Sequence, residues 1–332
     1  MADAPHPFSR FVRLLGRGKT LSRALTSEEA EEAMAMILAG RVLPEQIGAF
    51  LMLLRIKEET GEEIAGFIRA ARAALPTPID MPRVDIDWPA YAGKKRQLPW
   101  HLLAVLALAQ AGFRVAMHGL DGVTEGRLYT GETLCRLGLP PAADFPEAGE
   151  HLIRRNLCYL SLERFSPELA RMMALKAILG LRSPVNSLVR GLNPFRAATS
   201  LQAVFHPGYV AIHRDAALRL GDGRTTIFRG DGGENERRPN KPLETTSVVD
   251  GAVEEIRWPP IGDPRQPPDE TMDVERLADV WRGADDAYGE ATIVGTVAIA
   301  LHAMGTERDP AAAEARARVL WAERDRARLA AA

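Results

Sequence analysis

With 332 residues and 36.3 kDa the chain has room for one large domain or two unequal ones, and 46% hydrophobic with 26% charged residues excludes a mostly disordered, collagen-like or coiled-coil polymer. The formal charge of −2, from 42 Lys and Arg against 44 Asp and Glu, excludes a uniformly basic protein while leaving room for a local basic face. Two cysteines, Cys135 and Cys158, are too few for a disulfide framework and lack metal-ligand spacing, so both read as partly buried thiols.

The first 75 residues read as helices. Thr26 and Glu29 form a capping box, Ala30, Ala33, Met34, Ile37 and Leu38 follow at helical spacing, and Gly40 ends the segment. Pro44 opens a helix to Lys57 with Ile47, Phe50, Leu51 and Leu54 on one face, and Thr60 with Glu63 caps the next. Pro76, Pro78, Pro82 and Pro89 then mark a crossing between structural units. Leu98 to Gln110 reads as an apolar helix stopped by Gly112, and Phe113 to Met117 as a strand running into His118-Gly119. Leu157 to Leu160, Tyr209 to Ile212 and Thr225 to Phe228 are further strand candidates, and Thr292 to Ala303 a closing helix; residues 229 to 290 are turn-rich and acidic and resist assignment. A helix followed by a buried strand ending in a glycine loop belongs to α/β architecture. No continuous apolar stretch follows the basic N-terminus, and the most apolar run, Ile293 to Met304, is too short to span a bilayer, so the expected location is the cytoplasm.

Several segments resemble one family. Ala39-Gly40, Gln46-Ile47-Gly48-Ala49-Phe50-Leu51 and Lys57-Glu58-Glu59-Thr60 look like the small domain of anthranilate phosphoribosyltransferase and its glycosyltransferase relatives. Leu179-Gly180-Leu181-Arg182-Ser183-Pro184-Val185-Asn186 is similar to that family's Leu-Gly-x-Arg-Thr-x-x-Asn segment, with Asn193-Pro194 following, and His118-Gly119 matches the middle of a Lys-His-Gly-Asn signature. The order and spacing extend from about residue 10 to about residue 305. The resemblance implies a small all-helical N-terminal domain, residues 1–80 completed by helices within about 165–190. This is hinged to a large α/β domain, 81–332, with a mainly parallel central sheet of nucleoside phosphorylase/phosphoribosyltransferase type. It also implies phosphoribosyl diphosphate bound between the domains, and a homodimer formed through the helical one.

The chain departs from that pattern where the chemistry would sit. The family's Gly-Thr-Gly-Gly-Asp loop lets backbone amides approach a diphosphate. Here, after Trp88-Pro89, stands Tyr91-Ala92-Gly93-Lys94-Lys95-Arg96, with one glycine surviving. Bulky cations there obstruct close approach to a compact diphosphate but offer a mobile positive cluster to an extended one, unless the run is simply a solvated loop. Magnesium prefers carboxylate oxygens. Where catalytic members place an Asp-Glu pair, this chain has Gly230-Asp231-Gly232-Gly233-Glu234-Asn235-Glu236, so either Glu234 and Glu236 rescue a metal site or Asn235 breaks it. His118 lacks the flanking lysine and asparagine and reads as structural; with Gly93, Gly119 and Asn186 it marks a vestigial substrate pocket.

Charge supplies the positive evidence. Between residues 151 and 220 stand Arg154, Arg155, Arg164, Arg171, Lys176, Arg182, Arg190, Arg196, Arg214 and Arg219 against only Glu163, Glu168 and Asp215, and nine of these ten cations are arginine. Arginine's planar fork holds phosphate oxygens in pairs. Arg10, Arg13, Arg17, Lys19 and Arg23 add a second basic stretch. The family fold implies that Lys94, Lys95, Arg96 and the arginines of 154 to 196 meet in one interdomain groove, with Tyr91, Trp100 and Phe195 near enough to stack bases if they are not core. The sequence looks like a branch of paralogues described as binding DNA or RNA without making the tryptophan precursor. The leading expectation is therefore a nucleic-acid-binding protein, largely indifferent to base sequence and needing no cofactor. The alternative is a phosphoribosyltransferase acting on anthranilate or a nucleobase with phosphoribosyl diphosphate and magnesium. A third is a pseudoenzyme that senses a small anionic metabolite.

Overall fold

The computed structural model describes residues 4–18, 20–76, 80–122, 124–261 and 272–329; Lys19, Pro78 and residues 262–271 of the acidic segment lie outside them. Four helices open the chain: α1 (Ser9–Gly16), α2 (Ser27–Leu38), α3 (Pro44–Lys57) and α4 (Gly61–Ala74). Both capping boxes form. Thr26 accepts from the Glu29 amide and Thr60 from the Glu63 amide, while each glutamate reaches back to its cap, satisfying amides that have no partner inside the helix. Glu63 is fully buried and also accepts from the Leu25 amide and the Lys57 ammonium, so one carboxylate both caps α4 and ties the chain entering α2 to it.

The large domain is built on a seven-stranded sheet. Its strands are β1 (Ile86–Ala90), β2 (Val115–Gly119), β3 (Leu157–Ser161), β4 (Thr199–Val204), β5 (Arg224–Arg229), β6 (Leu243–Val249) and β7 (Ala252–Trp258), in spatial order β3-β2-β1-β4-β5-β6-β7. The first five are parallel and the last two antiparallel, so the sheet is mainly parallel. Parallel strands need coverage on both faces, and residues alternate accordingly. Val115, Met117, Leu157 and Tyr159 face a core made with α5 (His101–Gln110) and the Ala287–Ala303 helix. Ala116, Cys158 and Leu160 face the other core, made with the opening helices and the Leu169, Met172, Val185 and Leu188 segments. Cys158 is buried and Cys135 exposed. Among the described residues no helix is long and apolar enough to cross a membrane.

Several expectations are corrected. Tyr209 to Ile212 is helical, inside Gly208–Leu220; the buried strand is the preceding Thr199–Val204, and Val210 and Ile212 are only half-buried. A short apolar run does not by itself distinguish strand from helix. Strand β1 lies within the proline-dense stretch. The unassigned segment supplies the β6–β7 hairpin, turned at Asp250 and Gly251 with φ of 48° and 81°, the left-handed pair that a two-residue hairpin turn requires.

Candidate functional site

Strand order reverses between β1 and β4, and in open α/β sheets this is where a crevice forms at the carboxyl ends of strands. Three loops meet there: Tyr91–Arg96 after β1, Phe205 and His206 after β4, and Gly230–Glu236 after β5. They border a cleft of 660 Å³ whose walls carry Lys95, Arg96, Arg127, Arg182, Arg238 and Lys241. Its wall has one carboxylate, Asp231, which pairs with Arg238 at 2.8 Å. Among the described residues no carboxylate pairs with Lys95, Arg96, Arg127, Arg182 or Lys241. Lys176, which donates to Thr124 Oγ1, stands close enough that, after partial desolvation, the charges of Arg182 and Arg127 lower its pKa. Crowded like charges of this kind suit an anionic ligand.

Beneath the walls lies a buried polar floor. Lys94 exchanges backbone hydrogen bonds with Leu128 in an isolated bridge, and the extended backbone sends adjacent side chains to opposite sides. Lys94 therefore turns inward, 2% exposed, while Lys95 and Arg96 face solvent. The Lys94 ammonium is held by Asp231 and by Glu236 Oε1, the latter at 2.5 Å. Burial by itself lowers the Lys94 pKa, but Glu236 and Asp231 outweigh it and hold the ammonium charged beyond the ordinary lysine range. The mobile cluster expected at 94–96 thus comprises Lys95 and Arg96 only. Glu236 also accepts from the His101 amide at 2.9 Å, and Glu234 Oε1 accepts from the Ala92 and Gly93 amides at 2.7 and 2.5 Å. The Asn235 side-chain amide donates to Pro89 O and Leu201 O, joining β1 to β4 beyond the end of their ladder at Asp87 and Ser200.

The other sequence candidates scatter. Arg154 is exposed and paired with Glu150, Arg171 with Glu168, and Arg155 donates to Leu157 O and Pro140 O. Arg196 lies beside Met81 to Val84, in a different pocket. Arg190 is buried and donates to Ala203 O and Asn186 O, so its fork is spent on backbone. Among the described residues Arg182 is the one arginine between 154 and 196 that lines the cleft; Arg154, Arg155 and Arg171, on the Phe145–Arg155 and Pro167–Ala174 helices, do not. Tyr91, Trp100 and Phe195 are all core, at most 5% exposed, and offer no stacking face. The exposed aromatic at the cleft is Phe205, at 55%. His118 is fully buried, with Nδ1 2.7 Å from Tyr91 Oη and Nε2 3.1 Å from Asp87 Oδ1, and Gly119 ends β2 beside it. Asn186 lines an adjoining 110 Å³ pocket with Arg55, Glu59, Tyr209 and His213, which shares Arg182, Phe205 and His206 with the cleft. Arg238 and Lys241 had a signal, a basic cluster directly after the glycine turn; Arg127 is isolated in sequence and had none.

A family described as "Glycosyl transferase family, helical bundle domain" matches residues 10–75. Over 237 residues the chain is 33% identical to anthranilate phosphoribosyltransferase of Novosphingobium aromaticivorans, covering 71% of each protein. The chain belongs to the anthranilate phosphoribosyltransferase family. It is also 27% identical over 239 residues to Uncharacterized protein YbiB of Escherichia coli K12, covering 70% of this chain and 74% of that one. In fold it is similar to anthranilate phosphoribosyltransferase of Saccharomyces cerevisiae, solved in complex with PRPP and Mg, with a TM-score of 0.77 at 14% identity over 96% of this chain and 94% of the other.

The magnesium of that yeast complex raises the question whether this family member's donors fit a divalent cation, which needs several free oxygens around one point. Glu236 is taken by Lys94 and His101, Asp231 by Lys94 and Arg238, one oxygen of Glu234 by backbone amides, and Asn235 by strand carbonyls. Among the described residues no group of three or more His, Cys, Asp or Glu side chains converges to hold a metal ion. The arrangement does not fit magnesium.

Proposed function

We propose that the cleft binds the sugar-phosphate backbone of nucleic acid with little regard to base sequence, on a fold in which phosphoribosyl transfer has been given up. The observation that carries this reading is the cationic wall of Lys95, Arg96, Arg182 and Lys241, with Arg127 among them donating Nη1 to Ala92 O and Gly93 O, standing over a floor whose amides and carboxylates are engaged internally. A polyanion needs such walls and no floor, because its affinity comes from phosphate neutralisation and counterion release. A dimer formed through the helical layer, where Leu43 and Ile56 are 53% and 80% exposed, is part of the same reading, and two clefts would then lengthen the track.

The test is fluorescence anisotropy with a labelled single-stranded oligonucleotide at rising salt. Neutralising about four to five phosphates gives a slope of log K against log salt of about −2.8 to −3.5 for single strands. Absence of binding at about 50 mM salt, or binding indifferent to salt, would refute the proposal.

The family membership favours a second reading, phosphoribosyl transfer to an aromatic or nucleobase acceptor, and the relatives support it more directly than they support the first. Arg182 in the cleft wall is its strongest residue, as a guanidinium placed to meet phosphate. Diphosphate release that depends on phosphoribosyl diphosphate, magnesium and an added acceptor would establish it and displace the first.

A further inference from the structure

Two consecutive amides, those of Ala92 and Gly93, converge on a single carboxylate oxygen, Glu234 Oε1. Gly93 lies at φ +66°, and a left-handed step of this kind turns successive N–H groups to one side, which is the backbone geometry of an anion-binding nest. A side chain at Gly93 would also crowd Leu128 O and the Tyr129 ring. The nest stands just past the carboxyl end of β1, next in the chain to Lys94, which lines the cationic cleft.

Its occupant is the chain itself. Glu234 is 1% exposed, and its second oxygen, Oε2, is buried with no hydrogen-bond partner among the described residues, so the amide pair is what holds the carboxylate. The turn that carries it is pinned on both sides by Lys94, through Asp231 before it and Glu236 after it. We propose that Glu234 is an internal anion filling a latent site for a compact phosphate, and that its carboxylate keeps phosphate and diphosphate off the Ala92 and Gly93 amides. This holds whether or not the cleft walls take nucleic acid.

The experiment compares wild type, Glu234→Ala and Glu234→Gln by calorimetry with inorganic diphosphate in metal-free buffer. Both variants remove the same negative charge, but glutamine still offers an acceptor to the two amides whereas alanine vacates them. The expected result is diphosphate binding about tenfold tighter or more for Glu234→Ala than for Glu234→Gln, with wild type weakest. An equal gain in both variants would assign the effect to the general field, and no gain in a folded Glu234→Ala would show there is no latent site; either overturns the proposal. Should Glu234→Ala fail to fold, hydrogen exchange at the Ala92 and Gly93 amides of wild type decides. Exchange that stays slow and indifferent to added diphosphate supports an occupied nest, and exchange altered at those two amides by diphosphate overturns it.

Discussion

His213 is a histidine that folding keeps neutral. It is 3% exposed, with Nδ1 2.7 Å from Gln202 Oε1, and burial first, then the Arg190 charge, push its pKa down to about 3. The unfolded chain binds a proton here near pH 6.5 and the folded chain does not until near 3, so the unfolded state holds more protons throughout that window. Stability is therefore lost as pH falls from about 6.5, by up to about 1.4 kcal/mol per unit from this group. Urea denaturation at pH 7 and pH 5 should show wild type losing stability that His213→Gln retains; the same pH dependence in both would place the proton elsewhere. Neither the histidine's burial nor Lys94's was legible in the sequence, where His213 stands between Ile212 and Arg214 and Lys94 opens a Lys-Lys-Arg run. A pleat decides that Lys94 turns in and Lys95 out, and the partner strand segment at Leu128 sets that pleat.

Helices α2 and α4 pack as closely as backbone allows. A Cβ on Gly66 would lie 2.2 Å from Ser27 O and 2.8 Å from Ala30 Cβ. Alanine is the better helix former by about 1 kcal/mol, yet overpacking costs about 1–3 kcal/mol, and against backbone the clash wins. Gly66→Ala should lower the denaturant midpoint of the folded protein; an unchanged or raised midpoint would mean that the pair separates freely. Elements with strong local chemistry were readable in advance: both capping boxes, Pro44 at a helix start, and the Leu157 and Thr225 strands. Asp250-Gly251 was an available turn signal for the β6–β7 hairpin. It was obscured because β7 is an exposed edge strand bearing Glu254, Glu255 and Arg257, without the apolar alternation that marks a half-buried strand.

For the molecule as a whole, a chain of net charge −2 carries a cleft wall dominated by cations, and position in space rather than sequence density defines it. Reversing Lys95 and Arg96 to glutamate should weaken oligonucleotide binding for all sequences alike and reduce the magnitude of the salt slope by at least about 1.4. Reversing Arg154 and Arg171, in the most arginine-rich segment but outside the cleft, should leave both unchanged. Equal effects from the two pairs would place the ligand on a diffuse surface instead.

Local signals were sufficient for the helical opening, the α/β class and the family, because caps, periodicity and glycine punctuation act over a few residues and are written contiguously. The composition of the site was not so written. Lys95 and Arg238 follow β1 and β5, which the strand order brings to one crevice, and Arg182 reaches the same cleft from the segment between the Lys176–Leu179 and Val185–Leu188 helices. Glu234 Oε1 is engaged by the Ala92 and Gly93 amides, 142 and 141 positions away, which face it across the reversal of strand order between β1 and β4.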